Sequence, residues 1–139
     1  YHGVYACLLD KGYMLTVRKK RGPYTGMLDL PGGGIKKDES VIRALIRELK
    51  EETGVDAELI GLVDVIDTVR EDEEGRIQFH YTLVDFAAVW KAGEPIADDD
   101  VSDAEWAPLS EIENRGLWSE TVRVIRKAVN MRDRVKNKS

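Results

Sequence analysis

The sequence predicts an α/β fold of the α+β kind, in which strands outnumber helices. Three observations carry this. Runs rich in Val, Ile, Leu and Tyr at 4–9, 13–18, 58–69 and 77–90 read as strands, whereas helical periodicity is confined to two substantial stretches near 40–54 and 118–132. Asp10-Lys11-Gly12 is a turn signal that makes the first two strands a hairpin. Two long helices are too few for a doubly wound parallel sheet, which needs one at most crossovers. With 139 residues the chain reads as a single domain, 1–139, large enough to bury a core without metal or disulfide staples.

The hairpin comes first. Its second strand ends in the basic cluster Arg18, Lys19, Lys20 and Arg21, and residues 22–30 read as a loop leading into Pro31-Gly32-Gly33-Gly34. The helix that follows begins near Ser40, a good N-cap because its hydroxyl accepts from an otherwise unpaired amide. Asp38 and Glu39 place negative charge where a helix N-terminus favours it. Its end falls near Thr53–Gly54, glycine being the usual left-handed residue after a helix. Ile42, Leu45, Ile46 and Leu49 fall at i, i+3, i+4 and i+7 and predict the buried stripe. On the other side Glu48, Glu51 and Glu52 crowd one region, where like charges repel. Two readings fit those acids. One is a solvated patch partly offset by Arg43, Arg47 and Lys50; the other is a site for a hard cation such as Mg²⁺, which prefers carboxylate oxygens.

Downstream, Glu71-Asp72-Glu73-Glu74-Gly75 reads as a solvated hairpin tip. The strand after it places Phe79, Tyr81, Leu83 and Asp85 on one face and His80, Thr82, Val84 and Phe86 on the other. His80, with no acid or nucleophile beside it in sequence, reads as structural or as a pocket-edge residue. Residues 91–103 read as a loop containing Asp98-Asp99-Asp100. Residues 109–114 suggest one short helical turn, and 118–132 a final helix with Ser119 as N-cap and Val122, Ile125 and Val129 on its apolar face.

The stretch from Gly33 to Val55 resembles the Nudix box, G-x5-E-x7-R-E-U-x-E-E-x-G-U with U a bulky aliphatic residue. Gly33, Glu39, Arg47-Glu48-Leu49, Glu51-Glu52, Gly54 and Val55 match every specified position. A Trp-x-Leu-Pro-Gly-Gly run often precedes the box; here it is Leu28-Asp29-Leu30-Pro31-Gly32-Gly33, with Leu28 in place of the tryptophan. The resemblance implies an α/β/α sandwich with a mixed β-sheet between helices. It also implies a pyrophosphohydrolase that uses Mg²⁺, with Mn²⁺ as a substitute, to cleave a nucleoside diphosphate linked to another moiety. Modified nucleoside triphosphates are a further substrate class. An alternative within the same fold is a sensor that binds a nucleotide metabolite without cleaving it.

By that resemblance Glu48 and Glu52 are the principal metal ligands and Glu51 shares a bridging or water-ordering role. The Gly32 carbonyl is a further ligand, and Asp100, six residues before Trp106, an acidic ligand reached directly or through water. Arg47 orients a neighbouring glutamate, with Glu51 and Glu39 as partners, and the general base is left open among Glu48, Glu51 and a loop acid. Arg18 and Lys19 are the cations for substrate phosphates, and Gly33 lets the backbone approach the ligand. Gly33, Glu39 and Gly54 also serve the motif structurally. A proline about sixteen residues past the box marks ADP-ribose hydrolases of this kind, and the region around Val69 and Arg70 has none.

The remaining composition narrows the field. The hydrophobic share of 42% and charged share of 34% are those of a soluble globular protein. A net charge of −5 argues against stable nucleic-acid binding, yet not against a phosphorylated small molecule, since a bound cation reverses the local field. Cys7 is the one cysteine, expected to be buried, so a cytoplasmic location is the default reading. No apolar run approaches the roughly 18 residues of a membrane helix, so no membrane partner is expected, and a homodimer is the one assembly left open.

Overall fold

A computed structural model describes residues 1–20, 26–98 and 101–137, with the side chains of Arg70 and Phe79 excepted. Asp100 and Asp99 lie outside the described residues, as do 21–25.

Seven described strands form one mixed sheet: β1 (His2–Asp10), β2 (Tyr13–Lys19), β3 (Leu28–Asp29), β4 (Gly32–Gly34), β5 (Asp56–Glu71), β6 (Ile77–Ala92) and β7 (Val101–Pro108). The β1–β6 pair is parallel and the others are antiparallel. Helix α1 (Val41–Thr53) covers one face and α2 (Ser119–Asn137) the other, giving the α/β/α sandwich.

The strand alternation of β1 separates the two cores. Val4 and Ala6 point to Ala44, Leu45 and Leu49 of α1, while Cys7 and Leu9 point to Val124, Ile125 and Ala128 of α2. Burial pushes the Cys7 thiol up to about 12, which leaves it an inert core residue.

Strands β1 and β2 pair only beside their turn, at Leu9–Met14 and Asp10–Tyr13. Beyond that they part, and the short strands fill the gap: β3 pairs with β2 and β4 with β1. The glycine segment is thus wedged into an opened hairpin, tied by Ala6 N–H to the Pro31 carbonyl at 3.0 Å. Gly32 permits the wedge. Its φ is +152°, and a Cβ there would lie 2.1 Å from the Val4 carbonyl oxygen.

The structure departs from the sequence reading in several places, among them Leu28–Asp29, a strand where the sequence suggests a loop. Helix α1 has its Ser40 cap, whose hydroxyl accepts from Arg43 N–H at 3.2 Å, and its left-handed Gly54, but its buried stripe is rotated. Ile42 and Ile46 are 48% and 56% exposed, while Ala44, Leu45, Leu49, Glu52 and Thr53 are buried. The helix turns its acidic edge toward the sheet because Glu52 finds polar partners there. The segment 91–103 is not all loop: β6 runs on to Ala92 and β7 already begins at Val101, which is buried and pairs with Lys19. Ser119 is the first residue of α2, and Val122 and Val129 are only partly buried beside the fully buried Val124, Ile125 and Ala128.

Candidate active site

Glu52 sits at the end of α1 with 2% exposure, facing the β3–β4 wedge. Its Oε1 accepts the Gly32 N–H at 2.9 Å, and its Oε2 accepts from Lys19 Nζ at 3.2 Å. The same ammonium donates to the Gly32 carbonyl at 3.0 Å and lies 5.4 Å from the centre of the Tyr5 ring. Gly32 O, Glu52 Oε2 and an aromatic face thus form a small cradle around one positive charge. Burial raises the Glu52 carboxyl to about 7, with Lys19 and the Gly32 amide opposing the rise.

Lys19 reaches this point and Arg18 does not. The β2–β7 register shifts between the two residues, an irregularity of the kind that re-aims side chains. Arg18 donates instead to the Gly26 carbonyl at 3.0 Å on the exposed side.

One turn earlier on α1, Arg47 uses all five of its N–H donors. Nε and Nη2 take Glu39 at 2.7 and 2.9 Å, Nη1 takes Glu48 at 2.9 Å and Glu51 at 3.1 Å, and Nη2 also takes the Gly34 carbonyl at 3.0 Å. The Arg47 hydrogen bond holds the Glu39 carboxyl down at about 2. Glu48 is pushed the other way, chiefly by burial. Its carboxylate lies against Gly33, where a Cβ would be 2.5 Å from the Glu48 carboxyl carbon. Among the described residues no three His, Cys, Asp or Glu side chains close on a common point, because Arg47 and Lys19 partner the acids of α1.

A Nudix-domain model matches residues 2–128. The chain belongs to the Nudix family. It is 31% identical over 99 residues to the ADP-ribose pyrophosphatase of Methanocaldococcus jannaschii, a match covering 71% of this chain and 56% of that protein. The chain therefore spans little more than half the length of that relative. A MutT Nudix hydrolase from Burkholderia pseudomallei superposes with a TM-score of 0.75 at 27% identity, covering 91% of this chain and 95% of the other. The Nudix domain of Shewanella oneidensis NrtR, solved with ADP-ribose, superposes with a TM-score of 0.72 at 26% identity, covering 96% and 87%.

Nudix hydrolases generally use divalent metals, and the donors here fit one. Gly32 O and Glu52 Oε2 are hard oxygen donors already turned onto one cation, and the bare Gly33 backbone leaves Glu48 room beside them. Glu51 is more exposed and stands on the Arg47 side. Gly54 caps the helix at φ 73° and takes no part in the cradle. His80 lies on the surface, bonded to Asp67.

Sequence reasoning missed Tyr5, which walls the cradle and bonds the Tyr1 hydroxyl at 3.1 Å, and two acids set into the sheet, the partly buried Asp29 and the buried Asp85. An acid inside an apolar strand was the available signal for Asp85. Burial, with Asp29 and Asp64 nearby, raises it to about 7. A carboxyl that binds its proton more tightly when folded supports the fold below its unfolded pKa and loses that support as pH rises through about 7. Asp85→Asn is therefore expected to be more stable than the parent by about 2–4 kcal/mol at pH 8 and equal to it near pH 4. Urea melts at the two pH values check this; a gap that does not change with pH contradicts it.

Gly33→Ala is expected to displace the flexible Glu48 carboxylate rather than the backbone. Activity should fall about tenfold, with a melting temperature within a few degrees of the parent. Steady-state rates and a thermal melt measured together check it.

Proposed function

We propose that the chain is a divalent-cation-dependent pyrophosphohydrolase that cleaves the diphosphate linkage of a nucleoside diphosphate joined to a second moiety. One observation carries the reading: the Gly32 carbonyl and the buried Glu52 carboxylate converge on a single cationic point, with Glu48 beside them. Glu52, Glu48 and Gly32 O would hold Mg²⁺, or Mn²⁺ in its place, with Glu51 at the outer edge. When bound at these residues, such an ion would supply charge neutralisation for phosphate oxygens and a lowered pKa for a coordinated water.

The protein's own share is positioning and charge. Arg47 fixes the rotamers of Glu48 and Glu51 through its Nη1, and the attacking water gives its proton to one of these two carboxylates. Lys19 supplies a cation for the phosphates. Burial raises the Glu48 carboxyl, and Arg47 opposes the rise.

ADP-ribose is the first substrate to try, on the strength of the archaeal relative and the NrtR domain's ligand. The missing proline beyond the box argues for testing nucleotide sugars and modified nucleoside triphosphates beside it. A sensor reading has one observation in its favour, that every glutamate of the box is held in an ion pair with Arg47 or Lys19. A nucleotide panel with Mg²⁺, scored for nucleoside monophosphate and phosphate release, separates them. Turnover of at least one diphosphate-linked nucleotide, lost in EDTA, is the expected result; binding throughout without turnover overturns the enzyme.

A further inference from the structure

The Lys19 ammonium occupies the point that the metal reading assigns to the ion. It is bonded to the Gly32 carbonyl at 3.0 Å and Glu52 Oε2 at 3.2 Å, and the Tyr5 ring closes the third side. Mg²⁺ held by those two oxygens would take the same place. An ammonium that stayed within hydrogen-bond reach of the same oxygens would then lie almost in contact with a double positive charge. The two cations exclude one another.

The surroundings make the exchange feasible. Glu52 is almost fully buried, and its ionised carboxylate would be costly without a cation, so a resident charge sustains that form when the metal is absent. Lysine suits that role because a point charge on a flexible four-carbon stem can leave. A guanidinium locked into five bonds, as Arg47 is, cannot leave without breaking all of them. Its neighbour Arg18 is tied down on the exposed side, so Lys19 alone of the pair has this choice.

We propose that Lys19 is a resident counter-cation that holds Gly32 and Glu52 in register before the metal binds, is displaced by it, and carries its charge to the ligand's phosphates. Metal and diphosphate then bind cooperatively through Lys19, in addition to any contact they make with each other. The proposal rests on the assignment of Gly32 O and Glu52 as metal ligands.

Mn²⁺ binding followed by electron paramagnetic resonance tests it, with no nucleotide present and then with methylenediphosphonate. Lys19→Met is expected to bind Mn²⁺ about 5–20-fold more tightly than the parent in the absence of diphosphonate, because a competitor has gone. The factor by which diphosphonate tightens Mn²⁺ binding should fall at least fivefold in the same variant. Glu52→Gln reports on the underlying assignment. If it retains the parent's Mn²⁺ affinity, the metal reading fails. If it loses Mn²⁺ while Lys19→Met binds no more tightly than the parent, displacement alone is overturned.

The parent protein gives an independent measurement should Lys19→Met not fold. With ¹³C-labelled lysine, the Lys19 Cε resonance should move on adding Mg²⁺ alone, together with the Gly32 amide. A Gly32 amide that shifts while Lys19 Cε stays in place contradicts displacement.

Discussion

Glu52→Gln is expected to lower kcat at least ~1000-fold while the protein stays folded. That factor corresponds to about 4 kcal/mol of transition-state stabilisation, the scale of losing a carboxylate that holds the catalytic ion. Shape is conserved: the glutamine carbonyl oxygen can still accept the Gly32 N–H that Glu52 Oε1 now takes at 2.9 Å. What disappears is the negative charge facing Lys19 and the metal. The fold does not depend on that charge. Burial raises the Glu52 carboxyl to about 7, so its ionisation opposes folding as pH climbs from the unfolded value through that point. In EDTA at pH 8 the variant should therefore melt at or above the parent temperature, and near pH 4 the two should coincide. A rate within tenfold of the parent would remove Glu52 from the metal site. A collapse of the melting temperature would mean that the ion pair with Lys19 holds the domain together.

Helix α1 is legible in the chain because its signals are local. Ser40 and Gly54 are capping residues whose chemistry is complete within five residues of chain, and the spacing of the acids is a property of the helix itself. The rotation of that helix is not local. The stripe of Ile42, Leu45, Ile46 and Leu49 and the neighbouring stripe of Ala44, Leu45, Leu49 and Glu52 overlap, and hydrophobicity favours the first. Tertiary partners on β2 and β4 choose the second, since Lys19 and Gly32 give Glu52 a place to be buried. The choice between Arg18 and Lys19 depends on a register shift against β7, some eighty residues away in sequence. Similarly, Val101 to Asp103 read as loop because the aspartates beside them obscure an edge strand whose only partner among the described strands is β2. Turns, caps and the box are written in neighbouring residues; the cradle is written in pairings between distant ones.

Arg47→Met should lower activity about 100-fold and the melting temperature by about 5–10 °C. A single guanidinium binds Glu39 through both carboxylate oxygens, reaches Glu48 and Glu51, and ties α1 to the glycine wedge through the Gly34 carbonyl. Methionine fills the space of the stem and takes away the one cation that Glu39, Glu48 and Glu51 share. Lysine has at most three donors at one point, so Arg47→Lys should fall between parent and methionine variant in both readings. Glu39→Gln supplies the contrast. It removes the partner farthest from the proposed chemistry, so it should cost thermal stability while kcat stays within a few-fold of the parent. Mg²⁺ adds a decisive arm. If the three freed carboxylates of Arg47→Met repel, a divalent cation should recover part of the lost melting temperature in that variant and more than it raises the parent. Equal increments in the two proteins would show that Arg47 braces the backbone of the wedge and has no part in setting the charges that the metal meets.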